Sequence, residues 1–373
     1  MKGSNRIQFL DMLRAFIIFL VIVLHTAISY IKPQIYGWVH NPEENNALFG
    51  IICTVLDSPI LMAVMFFIAG YFTLPSIRQK GVKQFLTDRC IRLGIPQVLG
   101  LVFLVPGLSY TAYLSSGQRM NYFDFWVSKG FKPEFFNHAH LWFLGILLYF
   151  SFITAFIFSI LKVRGKAFRE RNKKPSWRLF VLFIAVTTGM HFIVYLRYST
   201  FAWTSTYFIA FQNVGMPLYI CYFLFGMYAH QRNWFRADGY KPGITPWAVF
   251  YTFSILVYTV LYAIVFHTSP GTPVEKLAVA LMLNISILSW TLLLLGVFQR
   301  VFHGDHPIVR KISSVSYGTY IVHLNIAFAV LYATRNVHLP VVLKFLVQIL
   351  TGMILSWSVG YMLKQMPALK KVL

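Results

Sequence analysis

The first apolar segment, FLDMLRAFIIFLVIVLHTAISY, carries an acid, a guanidinium and an imidazole: Asp11, Arg14 and His25. On a helix turning 100° per residue, Arg14 and His25 are eleven steps apart, a net rotation of about 20°. Asp11 and His25 are fourteen steps apart, about 40° the other way. One narrow stripe therefore bears a charged couple near one end and a histidine about 16 Å further along. Ionisable groups inside an apolar segment are costly, which makes all three candidates for function. The plainer roles are an i,i+3 salt bridge for Asp11 and Arg14, and for His25 a bond to a neighbouring helix.

Further groups with chemistry follow along the chain. In RQKGVKQFLTDRCIRLGIP, Arg89 and Arg92 are three apart and share one side of a helix. Paired guanidiniums suit a phosphate-bearing ligand. The alternative is membrane anchoring by basic residues, with Asp88 and Arg92 as a local i,i+4 pair. In NHAHLWFLGILLYF, His138 and His140 are two apart with no carboxylate beside them, which is not the helical spacing of a zinc pair. A substrate-binding or structural role suits His140 better. In SSVSYGTYIVHLNI, Ser316, Tyr320 and His323 share a face at i, i+4 and i+7. The alternative there is a polar seam between helices. Gln212, Asn213 and Asn284 are weaker candidates. The sequence shows no P-loop, no acidic pair at metal-ligand spacing and no nucleophile elbow. Cys53, Cys90 and Cys221 are scattered, so no metal site and no disulfide framework is expected.

These residues must be positioned by membrane-spanning helices. Of 373 residues, 57% are hydrophobic and only 12% charged, about half the charge a soluble protein carries. Apolar runs recur from end to end, so the expected fold is all-α and polytopic, a single integral membrane domain over residues 1–373. Ten spans are expected, at about 9–31, 48–77, 94–116, 139–162, 179–196, 205–229, 244–267, 274–298, 313–333 and 339–363. The second contains Asp57, Ser58 and Pro59, where a kink is expected. The first reads as a retained span and not a cleaved signal peptide. Trp38, Trp126, Trp142, Trp177, Trp203, Trp234 and Trp247 fall near span ends, as an aromatic belt would.

The net charge of +22, from 33 basic and 11 acidic residues, fits membrane lipid or an anionic cytoplasmic substrate, and nothing resembles a nucleic-acid module. With both termini in the cytoplasm, 25 of the 33 Lys and Arg fall on the inner side. The outer side keeps eight: Lys32, Arg119, Lys129, Lys132, Arg197, Lys276, Arg335 and Lys344. The reverse orientation would invert this asymmetry.

Taken together, the motifs resemble the acyltransferase 3 superfamily of integral membrane acyltransferases. The resemblance rests on Asp11, Arg14 and His25 in one span, FFIAGYF at 66–72, Arg89-x-x-Arg92, HLWFL at 140–144 and SYGTYIVH at 316–323. RCIRLGIP at 89–96 with HLWFL is similar to the branch containing glucans biosynthesis protein C. The resemblance implies transfer of an acyl group from cytoplasmic acyl-CoA to an acceptor across the membrane, usually a sugar hydroxyl. It implies His25 as the catalytic histidine and Arg14, Arg89 and Arg92 as the donor-binding arginines. Asp11 is then expected to orient Arg14. His323 and Tyr320 are expected to stabilise the thioester oxyanion or place the acceptor, with His140 and Ser316 on the substrate.

The branch favours succinyl-CoA and the wider family acetyl-CoA; no metal is implied. The expected location is a bacterial inner or plasma membrane. The extra soluble domain of many members is not expected here, nor the helix that often precedes it, which allows for partner-dependent transfer. Two other classes fit the same buried charges: a transporter of a small anion or glycan, and a non-catalytic subunit of a polysaccharide export system. A transporter would favour inverted repeats and matched broken helices, and the sequence shows neither.

The orientation is testable by labelling. Cysteines placed at Asn45 and Lys132 are expected to react with an impermeant thiol reagent in intact cells, and cysteines at Lys166 and Gly239 to stay silent. Labelling at 166 would overturn the orientation and with it the cytoplasmic donor.

Overall fold

A computed structural model describes residues 7–32, 38, 39, 41, 43, 45–163, 172–236, 238–267, 271–302, 307–369 and 372. Part of the basic run between 162 and 178 lies outside them, as do Lys2, Arg6, Lys370 and Lys371. The first helix, α1, spans Gln8–Ile28 and keeps Asp11, Arg14 and His25 on one unbroken rod. The expected second span is two helices, α2 (Asn46–Val55) and α3 (Ser58–Arg89). They part at Leu56 and Asp57, so the expected kink is a full break. α3 also runs well past the expected end at 77. It turns at Gly81, whose φ of +77° is a left-handed backbone that favours glycine.

The third span is a composite rod. A π-turn at Cys90–Gly94 leads into α4 (Ile95–Leu99), a second π-turn at Gly100–Leu104 and α5 (Val105–Ser115). A short helix α6 (Tyr122–Ser128) precedes α7 (Trp142–Val163) and α8 (Trp177–Tyr195). The expected span at 205–229 is corrected in its first third. Residues Trp203–Ser205 and Ala210–Gln212 form an antiparallel hairpin, β1 and β2, and helix α9 starts only at Met216. Pro217 suits a first helical turn, where its missing N–H costs nothing. Gln212 and Asn213 bond the hairpin, through the Thr200 carbonyl at 2.8 Å and the Thr204 hydroxyl at 2.7 Å. Four more helices follow: α10 (Ile244–His267), α11 (Pro273–Val301), α12 (Pro307–Thr334) and α13 (Val341–Gln365).

Each of the ten expected spans overlaps a helix. Among the described residues, eight helical stretches are long and apolar enough to cross a membrane, one of them running from Ala47 to Ser115. The chain is an all-α polytopic membrane protein. α1 and α13 run antiparallel: Ile22 lies by Gly352, and Tyr30 bonds Gln348 at 2.6 Å. The start of α1 and the end of α13 therefore share a face of the bundle. Trp142 and Trp234, expected in the aromatic belt, are 6% and 1% exposed and belong to the core. Trp177 and Trp203 are exposed, at 71% and 45%.

Lipid is as apolar as a leucine side chain, so helix association in a membrane rests on close packing and interhelical bonds. The tightest seam joins α3 to α9. A Cβ at Gly70 would stand 1.9 Å from the Phe223 carbonyl oxygen, and one at Gly226 would stand 2.0 Å from that of Phe67. The two glycines let the backbones touch, with Phe66 packed among Phe143, Phe150 and Tyr219 just above.

Gly70→Ala and Gly226→Ala are each expected to destabilise the protein by about 1–3 kcal/mol, since the obstacle is backbone and cannot swing away. Gly189→Ala, where a Cβ meets nothing within 4 Å, is the control and should be neutral or slightly stabilising. Thermal unfolding in detergent reads both.

Candidate active site

The polar residues gather at two levels of the bundle. At the level near the start of α1, Arg14 donates to Asp11 at 2.6 Å, and its guanidinium lies over the Phe72 ring at 5.4 Å. Arg89 stacks over Phe85 at 5.0 Å. The charges of Arg92 and Arg14 both act on Arg89, so the three guanidiniums form one cluster. Asp88 does not pair with Arg92 as the i,i+4 alternative required. It accepts from Lys80 at 2.5 Å and Gln84 at 2.7 Å, and these bonds hold its carboxyl below the usual range. No ion pair forms at Arg89 or Arg92 among the described residues.

The expected α-helical spacing of Arg89 and Arg92 is corrected too. Arg92 sits in the π-turn, where the amide of Ile95 bonds five residues back to Cys90. Such turns are rare and concentrate at functional sites. The wider turn changes the carbonyl pairing, and the Tyr317 hydroxyl donates to the Arg92 carbonyl. Asn325, two turns further along α12, bonds the Leu104 carbonyl of the second π-turn at 2.8 Å. α12 thereby holds the irregular rod in place. Tyr317 was not singled out from sequence; the signal was present in its place beside Ser316 in the same motif.

The second level centres on three histidines. His25 Nδ1 and His323 Nε2 are 3.2 Å apart, with the rings stacked at 5.3 Å and 6°. His140 stands edge-on to His323 at 4.8 Å. His323 and His140 are 0% and 4% exposed, whereas His25 is half-buried. The Tyr320 hydroxyl donates to the His140 carbonyl. Trp38 reaches over from the loop after α1 and donates its indole N–H to the His25 carbonyl at 3.2 Å. That carbonyl lies in the last turn of α1, where helical partners run out. Trp38 was read only as a belt residue, because the sequence does not say where a loop folds back.

The carbonyls assign the ring protons. His323 Nδ1 lies 2.6 Å from the Tyr320 carbonyl, which can only accept, so Nδ1 carries the proton and Nε2 is bare. His25 Nδ1 must then donate to it, which leaves His25 Nε2 as the basic nitrogen. His140 Nε2 donates to the Ile321 carbonyl at 2.8 Å, so its Nδ1 is bare. Nδ1 is also buried and without a partner among the described residues. With a nitrogen of His140 and one of His323 committed to carbonyls, the three rings do not converge on a shared cation. Among the described residues no group of three His, Cys, Asp or Glu could hold a metal ion.

Two expected members stand apart from this level. Asp11 is a partner of Arg14, about 20 Å along α1 from His25, so it orients Arg14 and meets no reacting group at His25. Ser316 donates to the Ser313 carbonyl of its own helix at 2.8 Å, four residues short of Tyr320. Its hydroxyl is used locally.

A family model described as "Acyltransferase domain" matches residues 7–363. Among curated proteins, the chain is 26% identical over 192 residues to glucans biosynthesis protein C of Escherichia coli O6:K15:H31, covering 50% of this chain and 48% of that protein. The protein of the same name from Escherichia coli O157:H7 (strain EC4115) is 24% identical over 236 residues, 61% of this chain and 58% of its own. That from Shigella dysenteriae serotype 1 is 25% identical over 193 residues, 50% and 48%. The chain thus aligns with about half the length of these relatives. No solved structure matches it.

The proton assignment is testable by nitrogen NMR on histidine-labelled protein. His323 is expected to show the Nδ1–H tautomer and His140 the Nε2–H tautomer at neutral pH. His323→Leu should release His25 from its fixed Nδ1–H form into a mixture of tautomers. An unchanged His25 signal would rule out the bond to His323.

Proposed function

The chain belongs to the acyltransferase family whose domain spans it, and from that membership we propose that it transfers an acyl group, acetyl or succinyl, from cytoplasmic acyl-CoA to a hydroxyl of a carbohydrate acceptor on the far side of a bacterial inner membrane. The names of the relatives favour a glucan acceptor. The observation that carries the reading is that α1 links two levels: its Arg14 joins Arg89 and Arg92 at one, and its tautomer-fixed His25 stands about 16 Å further along at the other. Arg14, Arg89 and Arg92 sit where the basic-residue asymmetry puts the cytoplasm, and suit the CoA phosphates. The pantetheine arm is long and thin enough to pass between helices and bring the thioester to His25.

In the reaction, His25 Nε2 takes the proton of the acceptor hydroxyl as its oxygen attacks the thioester carbon. The new C–O bond forms, the C–S bond breaks, and the imidazolium returns the proton to the CoA thiolate. His323 holds the Nδ1–H of His25 throughout and stabilises the charge on the ring while it is protonated. A covalent acyl-histidine would need the same nitrogen to attack carbon and is less economical. His140 and Tyr320 lie behind His323 and brace it. A transporter reading draws on the break at Leu56 and Asp57, since discontinuous helices form transport sites. Single-turnover transfer from labelled acyl-CoA by purified protein separates the two.

The two levels are expected to fail in opposite ways. His25→Ala should lower transfer by about 10²–10⁴-fold, the usual contribution of such a base, with CoA affinity unchanged. Arg89→Ala and Arg92→Ala should each weaken CoA binding by about 1.5–3 kcal/mol, with Arg→Lys a partial rescue because an ammonium lacks the planar fork. Calorimetric titration with CoA and phosphopantetheine reads the second effect. Unchanged CoA affinity in a folded double Arg→Ala variant would sink the donor site, and turnover within about tenfold of the parent would sink His25.

A further inference from the structure

The chain after α1 brings one aromatic side chain to His25 on the side away from the arginines. The amide of Ser29, the regular helical partner of the His25 carbonyl, turns instead to the Thr26 carbonyl at 3.2 Å. The Trp38 indole N–H donates to the His25 carbonyl in its place, at 3.2 Å. The rings of Trp38 and His25 are 5.6 Å apart at 61°. Trp38 also meets Phe328 of α12, at 5.0 Å and 74°. Phe328 is five residues beyond His323, about 7 Å further from the arginine level. Trp38 therefore bridges α1 and α12 just outside the histidine level.

The residues after Trp38 are anchored. Val39 and Asn41 are buried, Glu43 pairs with Lys344 of α13 at 3.0 Å, and the Asn45 amide bonds the Tyr30 carbonyl at 3.2 Å. Ordering the chain here in advance lowers the cost of binding a ligand. Capping one carbonyl does not call for an indole, since a hydroxyl or amide side chain also carries a donor. A belt tryptophan would face lipid headgroups, whereas the ring neighbours of Trp38 are His25 and the fully buried Phe328. The ring is still not sealed in, because Trp38 and His25 both keep part of their surface exposed.

We propose, on the reading that the acceptor is a carbohydrate, that Trp38 is the platform for the sugar unit that is acylated. The apolar C–H face of the pyranose lies on the indole, and its hydroxyl edge turns to His25 Nε2. Ligand sites combine aromatic surface with a few placed polar groups in this way. The indole stands outside the histidine level, so an acceptor from the far side of the membrane meets it before His25. Trp38 thereby favours flat-faced neutral sugars over water and small flexible alcohols, which have no face to cover the ring.

Direct binding tests this apart from transfer. Full-length protein in lipid nanodiscs is titrated by calorimetry with a linear glucose oligomer and with CoA. Trp38→Tyr and Trp38→Leu lose the indole N–H alike, and only the first keeps an aromatic face. Trp38→Leu should weaken the oligomer about tenfold or more and Trp38→Tyr about threefold or less, with CoA affinity unmoved in both. Equal weakening by the two variants, no weakening by either, or failure of the parent to bind the oligomer overturns the platform. Should Trp38→Leu also lose CoA affinity, its fold is damaged, and fluorine NMR of fluorotryptophan-labelled parent decides alone. The resonance missing from the Trp38→Tyr spectrum should shift on adding the oligomer and not on adding CoA, and no shift overturns the platform. Binding that depends on Trp38 without any transfer from acyl-CoA would instead overturn the catalytic reading and leave the platform standing. Transfer to the oligomer by Trp38→Leu at the parent's acceptor KM would do the reverse.

Discussion

The hydrogen bond between His25 and His323 is the contact on which the arrangement depends. It ties the last turn of α1 to the middle of α12, and it does so with groups that would be expensive to leave unpaired in a membrane. Because His323 is anchored through its other nitrogen to the Tyr320 carbonyl at 2.6 Å, the bond has a direction. It leaves one defined nitrogen of the half-buried ring available, and the rest of α1 sets how far that nitrogen stands from Arg14.

α12 is the spine of the site. Within nine residues it presents Tyr317 to the Arg92 carbonyl, Tyr320 to the His140 carbonyl, His323 to His25 and Asn325 to the Leu104 carbonyl. Two of those bonds go to the rod with the π-turns. The wider turns that set Arg92 in the cluster loosen the regular i→i−4 ladder, and α12 side chains take up carbonyls there. The irregular geometry is thus supported from outside its own helix, as a buried polar backbone must be. A small shift of α12 would disturb the arginine level and the histidine level together.

The outer half shows the same economy. Lys344, 1% exposed, is satisfied by Glu43 at 3.0 Å and the Arg335 carbonyl at 2.9 Å, and Gln348 links Tyr30 to Thr334. Polar groups here are bonded in chains that cross helices.

Much of this was legible along the chain because membrane helices are written in long apolar runs, and because a stripe on one straight helix is set by arithmetic. Asp11, Arg14 and His25 keep the phase read from their spacing, since nothing interrupts α1. Where backbone departs from the regular helix, that arithmetic fails. The π-turn at Arg92 and the hairpin before α9 lie where the sequence pattern predicts helix, and the break at Asp57 exceeds the kink that Pro59 predicts. Apolar composition is satisfied by any of these shapes when neighbouring side chains bond the freed backbone groups. Likewise, the sequence places three histidines and three arginines on four separate segments, and spacing cannot bring segments together. Their meeting and the tautomer of His25 are decided by interhelical packing, because each depends on a partner distant in the chain.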